Sequence, residues 1–326
     1  MIKWGIVGLG NMASRFANAI KEVNNAKLVA VSSQSNSKLD LFASEYNIKS
    51  ELRFDNYKSL AECKEIDAVY ISTLNNTHSH LISLFAVNKK NILCEKPFCI
   101  NIEEGSKIKK LIEDNNVKFF EAIAYLSHPQ TNEILTLIKN DEIGEINHIR
   151  SEFGFKVKKI NPNSRLFNKE LGGGAILDLG CYPISFLSLL SKDNKNIIFN
   201  KCYLKKCNTN VDIEANANLT INDKINCDIK VSLNENLENF STIYGSKGSL
   251  IVNQPWLPEK KTFLEINSKE RYFKKFINSE LTVYAEQIKN VSNEFLGKSN
   301  SKTKLFNINK SLSNMHYLDK WMNETN

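Results

Sequence analysis

No apolar run in this 326-residue chain approaches the roughly 18–20 residues that a membrane span needs, so no membrane partner is expected. Residues 1–7 enter a strand pattern at once. A charged n-region, an apolar h-region and a small-residue cleavage site are all missing there, and no signal peptide is expected. The chain also lacks any C-x-x-C. Its seven cysteines (Cys63, Cys94, Cys99, Cys181, Cys202, Cys207, Cys227) are odd in number and scattered, as reduced thiols of a cytoplasmic protein would be. There is no dense basic block and no aromatic-rich RNA-binding motif. The net charge of +7 is spread over lysine-rich surface segments, so nucleic acid is not expected as a partner. A general attraction for phosphorylated ligands accounts for that charge. What is present is ordinary globular composition, 42% hydrophobic and 24% charged, in a length that allows two domains with cores of their own.

Residues Ile2–Val7 are apolar nearly throughout, as a parallel strand buried on both faces should be. Gly8-Leu9-Gly10-Asn11-Met12-Ala13 follows, then a helix pattern over residues 11–23 with Phe16, Ala17 and Ile20 on one face. A G-x-G-x-x-A string between a strand and a helix predicts a dinucleotide site. Gly8 permits the tight turn, Gly10 lets the backbone approach a pyrophosphate, and Ala13 lets helix and strand pack closely. The helix start, at Asn11 and Met12, offers its free N–H groups to the phosphates.

A second strand is expected over residues 28–32. An acid near its end would bind ribose hydroxyls and repel a 2′-phosphate. The chain has Ser32-Ser33-Gln34-Ser35-Asn36-Ser37-Lys38 there, and no acid before Asp40 on the next helix, 37–46. Ser33, Gln34 and Lys38 are therefore candidate cofactor contacts, and NADP is expected in preference to NAD. A solvated turn that tolerates either cofactor would have the same composition.

Strands over 51–54, 68–72, 91–94 and 117–122 alternate with helices over 57–63, 77–88 and 102–115. That alternation argues a doubly wound parallel sheet ending near residue 122. The loop Thr73-Leu74-Asn75-Asn76-Thr77-His78 leaves the carboxyl end of a central strand. Thr73, Leu74, Asn75 and His78 are thereby placed over the cofactor crevice. His78 and His80 have no third ligand at sensible spacing, and no metal is expected. The strand 91–94 delivers Glu95-Lys96-Pro97. Pro97 removes a backbone donor and keeps Lys96 out of the helical region, at a corner where the chain leaves the sheet. A lysine there can turn its amine to a bound ligand; a solvent-exposed lysine before a turn proline has the same local sequence.

Residues 123–326 form a second expected domain. Its pattern is a helix over 129–139 and a long strand over 145–155. A polar, irregular stretch over 156–170 follows, of the kind functional loops often have. Gly172-Gly173-Gly174 reads as a loop bringing backbone close to a ligand, before a helix over 175–190. On that helix Asp178 and Tyr182 are i and i+4, one above the other. An acid and a phenol on one face of an apolar helix point into a pocket or into a buried hydrogen-bond network. Strands over 197–207, 211–221, 224–233, 240–244 and 248–252, then helices over 282–295 and 309–322, complete an α+β domain with an open, largely antiparallel sheet.

With these residues in place the chain resembles the glucose-fructose oxidoreductase, inositol dehydrogenase and rhizopine-catabolism (Gfo/Idh/MocA) family of NAD(P)-dependent oxidoreductases. The motifs are Gly8-x-Gly10-x-x-Ala13, residues 70–78, Cys94-Glu95-Lys96-Pro97, Glu121-Ala122 with His128-Pro129-Gln130, and residues 171–182. The last string is similar to the branch of dihydrodiol and xylose dehydrogenases, which has tyrosine where inositol dehydrogenases have histidine. The resemblance implies a Rossmann domain over 1–122 and a substrate-binding, oligomerising domain over 123–326. It implies Glu95 and Lys96 at the cofactor, Lys96, Asp178 and Tyr182 in catalysis, and Tyr125 and Arg165 with them at the substrate. Arg165 is equally readable as a surface arginine. It further implies a homodimer or higher homo-oligomer. Leu74 stands where relatives often have proline. Leu126 follows Tyr125 where many relatives carry an arginine, which implies a different substrate if that arginine touches one.

The function expected is hydride transfer between NADP and a hydroxyl-bearing carbon of a sugar or polyol-like molecule. Lys96 is the first candidate general acid/base and Tyr182 its rival, with Asp178 orienting the lysine or a substrate hydroxyl. A non-catalytic NADP-binding regulator on the same fold is the alternative, and such a protein need not keep Lys96, Asp178 and Tyr182. An oxidoreductase acting on a nucleotide-linked sugar fits the basic charge but has no further motif.

Overall fold

A computed structural model describes residues 1–191, 196–269, 271–298 and 304–324. The chain divides into two compact units, Met1–Ser127 with Leu281–Leu312, and His128–Glu280 with Ser313–Asn326. The strand pattern places the division at residue 122; the first unit runs on to Ser127, and a segment from the far end of the chain returns to it.

The first unit is built on β1 (Ile2–Val7), β2 (Ala26–Ser32), β3 (Arg53–Phe54), β4 (Ala68–Ile71), β5 (Asn91–Cys94) and β6 (Phe119–Glu121). Their order in the sheet is β6-β5-β4-β1-β2-β3, all parallel. A seventh strand, Phe306–Asn307, pairs antiparallel with β6 and extends the sheet past its expected edge. Trp4, Ile6 and Val7 of β1 and all of β4 are buried, because helices cover both faces of these central strands. Chain order reverses at β1, which has β2 on one side and β4 on the other. The carboxyl ends of β1 and β4 therefore open the crevice where such sheets bind ligands.

The returning helix Val283–Phe295 packs Ala285, Ile288 and Val291 into the same core as Trp4. The Trp4 indole N–H donates to Ser292 Oγ at 3.1 Å, and the Trp4 and Phe295 rings lie 5.6 Å apart. Thr282 caps this helix and donates to Glu22 at 2.7 Å. These contacts link residues more than 250 positions apart, so local pattern carries no trace of them.

The second unit holds an eight-stranded sheet. Its strands are β7 (Ile146–Gly154), β8 (Ile197–Lys206), β9 (Asp212–Ile221), β10 (Ile225–Ser232), β11 (Phe240–Gly245), β12 (Gly248–Asn253), β13 (Lys261–Ser268) and β14 (Tyr272–Asn278). The order is β14-β13-β12-β11-β7-β10-β9-β8, antiparallel except for the β7–β10 pair. Strands β13 and β14 lie outside the sequence expectation. Their alternation is legible in hindsight, since Thr262, Leu264 and Ile266 are buried while Lys261 and Asn267 are exposed. The helices Pro129–Lys139 and Cys181–Leu190 pack on one face. On the other face Tyr203, Tyr272 and Phe276 are exposed. The 22-residue stretch Lys169–Leu190 contains an 18-residue window apolar enough to pass for a membrane span, but 78% of that window is buried in this unit, as a core element should be.

Candidate functional site

The cofactor turn begins where β1 ends. Gly8 has φ +83°, and a Cβ there would lie 2.5 Å from Thr73 Cγ2 and 3.0 Å from Ser72 O. Gly8 N–H donates to Ser32 O at 3.2 Å, and Ser72 Oγ–H donates to Gly8 O at 2.8 Å. The turn is thus tied to the ends of both β2 and β4. Gly10 caps the helix Asn11–Ala19, and a Cβ on it would meet no atom within 4 Å. Asn11 is exposed, Met12 half-buried and Ala13 fully buried. A tight turn, an open approach to backbone and a helix start with free N–H groups fit the diphosphate of a dinucleotide. At the end of β2, Ser33 is buried and its Oγ accepts from Ser35 N–H at 3.1 Å. Gln34 and Lys38 are exposed, and so is Asp40, one turn into the helix Asn36–Glu45.

The loop after β4 holds Thr73, Leu74 and Asn75. Thr77 Oγ1 lies 2.7 Å from both Thr73 Oγ1 and Leu74 O, which closes the loop on itself. Leu74 is 40% exposed and Asn75 is buried. His78, expected near the cofactor, is wholly buried behind this loop. Its Nδ1 lies 2.8 Å from Pro97 O and its Nε2 3.3 Å from Thr73 O. Burial holds the imidazole down at about 4, so it is neutral at neutral pH. It is a strut between the loop and the corner at Pro97.

Lys96 is half-buried where the chain leaves β5, and its peptide bond to Pro97 is cis. Its backbone N–H donates to Glu95 Oε2 at 3.3 Å. Buried Glu95 also accepts from the Tyr70 hydroxyl. Tyr70 stacks on Phe16 with centroids 4.2 Å apart and planes 12° off parallel. Burial and the Glu95 carboxylate hold the Tyr70 phenol well above its ordinary range, so it stays a donor. On the other side, Glu121 ends β6 and accepts from Phe98 N–H at 3.1 Å. Sequence reading assigns no role to Tyr70 or Glu121. The signal that marks both is a polar group inside or at the end of an otherwise apolar strand.

In the second unit, the space beside Gly173 and Gly174 is taken by the protein itself. A Cβ on Gly173 would lie 2.8 Å from both Asn168 O and Leu166 O, and one on Gly174 would run into Asp212. Gly173 and Gly174 N–H donate to Asn168 O and Leu166 O at 2.9 and 3.0 Å. Gly173 brings backbone close to backbone, and Gly174 brings it close to the Asp212 side chain. The helix that follows opens with a π turn over Ile176–Gly180 before the α-helix Cys181–Leu190. The wider i→i+5 turn replaces the uninterrupted α geometry expected between Asp178 and Tyr182, a feature common at functional sites. Asp178 is 4% exposed, and its Oδ1 accepts from Arg165 Nη1 at 2.8 Å. Tyr182 is buried, with its ring edge-on to Phe153 at 5.1 Å and 6.0 Å from Trp256. Tyr125, expected at the substrate, is only 2% exposed, in the turn Ala124–Ser127 of the first unit.

A parallel sheet with a glycine turn at its reversal point, followed by an α+β unit, is the architecture of a two-part dinucleotide-binding protein. The chain belongs to the Gfo/Idh/MocA oxidoreductase family: residues 2–123 match its NAD-binding Rossmann fold and residues 131–251 its C-terminal domain. It is an NAD(P)-dependent oxidoreductase. Among relatives, the trans-1,2-dihydrobenzene-1,2-diol dehydrogenase of Xenopus tropicalis is 30% identical over 273 residues, 83% of this chain and 80% of that protein. The human protein of the same name is 25% identical over 261 residues, 79% of this chain and 76% of its own. Two solved structures share the fold. A 3-ketoreductase from Actinomadura kijaniata in complex with NADP and TDP-benzene has a TM-score of 0.87 at 21% identity, covering 98% of this chain and 96% of that one. An aldose-aldose oxidoreductase from Caulobacter crescentus complexed with glycerol has a TM-score of 0.89 at 16% identity, with the same coverage.

Proposed function

We propose that this chain transfers a hydride between NADP and a hydroxyl-bearing carbon of a sugar or polyol-like substrate, with Lys96 as general acid/base. The observation that carries this reading is a lysine held on buried supports at the carboxyl end of β5, on the side of the sheet where the Gly8 turn opens. The relatives named for a cyclic diol and for aldoses act on compounds that also have carbinol carbons. The absence of a carboxylate between Ser32 and Lys38 supports NADP over NAD.

The nicotinamide, when bound, supplies or accepts the hydride. In oxidation, Lys96 takes the hydroxyl proton as the carbonyl forms; in reduction it returns a proton to the carbonyl oxygen. Asp178, held by Arg165, orients substrate hydroxyls. Tyr182 donates a hydrogen bond to the substrate and is the rival proton carrier. Gly10, Asn11, Met12 and the loop of Thr73, Leu74 and Asn75 hold the cofactor. A second copy of the chain covers the open face of the eight-stranded sheet, most simply as a C2 dimer, and the protein is cytoplasmic.

Single-turnover hydride transfer in Lys96→Met and Tyr182→Phe tests the assignment. Lys96→Met is expected to slow transfer by about 10²-fold or more, and Tyr182→Phe by less. A normal rate in Lys96→Met overturns it.

A further inference from the structure

Three polar backbone groups of the corner at Lys96 are each held by a buried ionisable side chain. Lys96 N–H donates to Glu95, Pro97 O is bonded by His78, and Phe98 N–H donates to Glu121. Glu95, His78 and Glu121 are all buried. Two of these supports are carboxyls on adjacent parallel strands, since Glu121 is the register partner of Cys94, the residue before Glu95. Buried carboxyls are costly to ionise together, so one of such a pair tends to keep its proton.

The two are not equivalent. Glu95 accepts from the Tyr70 hydroxyl and from Lys96 N–H. Glu121 accepts from Phe98 N–H, and the titratable groups facing it are Glu95 and Lys96 at the corner and Cys94 on the neighbouring strand. Ser311, on the helix Ile308–Asn323, lies beside it.

We propose that Glu121 is a positioning residue for Lys96: it fixes the corner through Phe98 N–H, and its own charge state sets how tightly Lys96 holds a proton. With Glu121 neutral, Lys96 works beside one buried carboxylate; with Glu121 ionised, it works beside two, and its ammonium form is favoured. Burial pushes the Glu121 carboxyl up to about 7, where this change of state falls in the working range. The role rests on the reading of Lys96 as the acid/base. Glu121 acts through the corner, by its bond to Phe98 N–H and its charge.

The test needs no substrate. Acetylation of Lys96 by acetic anhydride, followed by mass spectrometry across pH ~6 to 11, reports the fraction of free amine. Glu121→Gln keeps an oxygen for Phe98 N–H but cannot ionise. It is expected to move the Lys96 midpoint down by about one pH unit. Glu121→Asp retains the charge and is expected to keep the midpoint near that of the wild type. A Glu121→Gln midpoint equal to the wild type overturns the proposal. If that variant does not fold, the infrared carboxylic-acid band of the wild-type protein decides. A buried acid that loses its proton near neutral pH supports the proposal, and none titrating there overturns it. Failure here is separable from failure of the functional reading. Lys96→Met with normal hydride transfer removes the acid/base role and leaves a shifted acetylation midpoint standing; an unshifted midpoint removes the coupling alone.

Discussion

Gly8 and Gly10 lie two residues apart in one motif, yet the structure assigns them opposite vulnerabilities. At Gly8, φ is +83°, a region that costs an L-residue roughly 1–2 kcal/mol. The new methyl would also lie 2.5 Å from Thr73 Cγ2 and 3.0 Å from Ser72 O. Relieving such overpacking typically costs about 1–3 kcal/mol. Gly8→Ala is therefore expected to lower the stability of the cofactor-free protein by about 3 kcal/mol in all. At Gly10, φ is −104° and ψ −166°, which alanine adopts without strain, and its Cβ would meet no atom within 4 Å. The cost there is confined to a poorer helix cap, about 1 kcal/mol or less. In the proposed function that same open direction is the line along which a pyrophosphate approaches. Gly10→Ala is expected to weaken NADPH binding at least about tenfold, or 1.4 kcal/mol. Thermal unfolding with and without NADPH, together with titration of NADPH fluorescence, separates the two. The Gly8 variant melts lower without cofactor, while the Gly10 variant melts near the wild type and gains less from NADPH. Wild-type NADPH affinity in Gly10→Ala would refute the placement of the cofactor.

Two further outcomes follow from the same geometry. The folded pKa of Glu121, about 7, lies above its ordinary 4.5, so its contribution to stability is present below about 4.5 and lost as pH rises through about 7. His78 has the reverse sign: its folded value of about 4 lies below 6.5, so its contribution is present above about 6.5 and lost as pH falls through about 4. Urea unfolding of Glu121→Gln between about pH 5 and pH 8 should show a flatter alkaline side, by up to about 3 kcal/mol; a slope parallel to the wild type would contradict this. Ser33→Asp places a carboxylate at the end of β2 and is expected to raise the NADP KM relative to that for NAD by about tenfold or more. Unchanged cofactor preference in steady-state assays would remove Ser33 from the 2′-phosphate site.

Local pattern suffices for the central parallel strands β1, β4 and β5, because strands buried on both faces need apolar runs and each of these is followed by its own helix. It also suffices for the glycine turn, since the left-handed conformation at Gly8 disfavours any residue with a Cβ. The α-helical reading of Asp178 and Tyr182 is only half right. Spacing shows two polar groups on an apolar segment, but the π turn between them depends on how that segment packs. At Gly173 and Gly174 the close neighbours are the carbonyls of residues 165, 166 and 168 and the Asp212 side chain, which composition alone does not report.

The corner at Lys96 divides the two sources of information most clearly. Composition and motif by themselves determined the dinucleotide turn, the lysine at a strand end and the family, because each motif is a short run of neighbouring residues and the motifs follow in a fixed order. Only the tertiary structure decided that His78, Glu95 and Glu121 all grip that corner, and that the helix Val283–Phe295 closes the first unit. Those facts depend on strand register and on burial, which a neighbouring residue in sequence does not report. Burial also gives Glu121 and His78 their shifted proton affinities, for a carboxyl or an imidazole is ordinary until the fold takes it out of water.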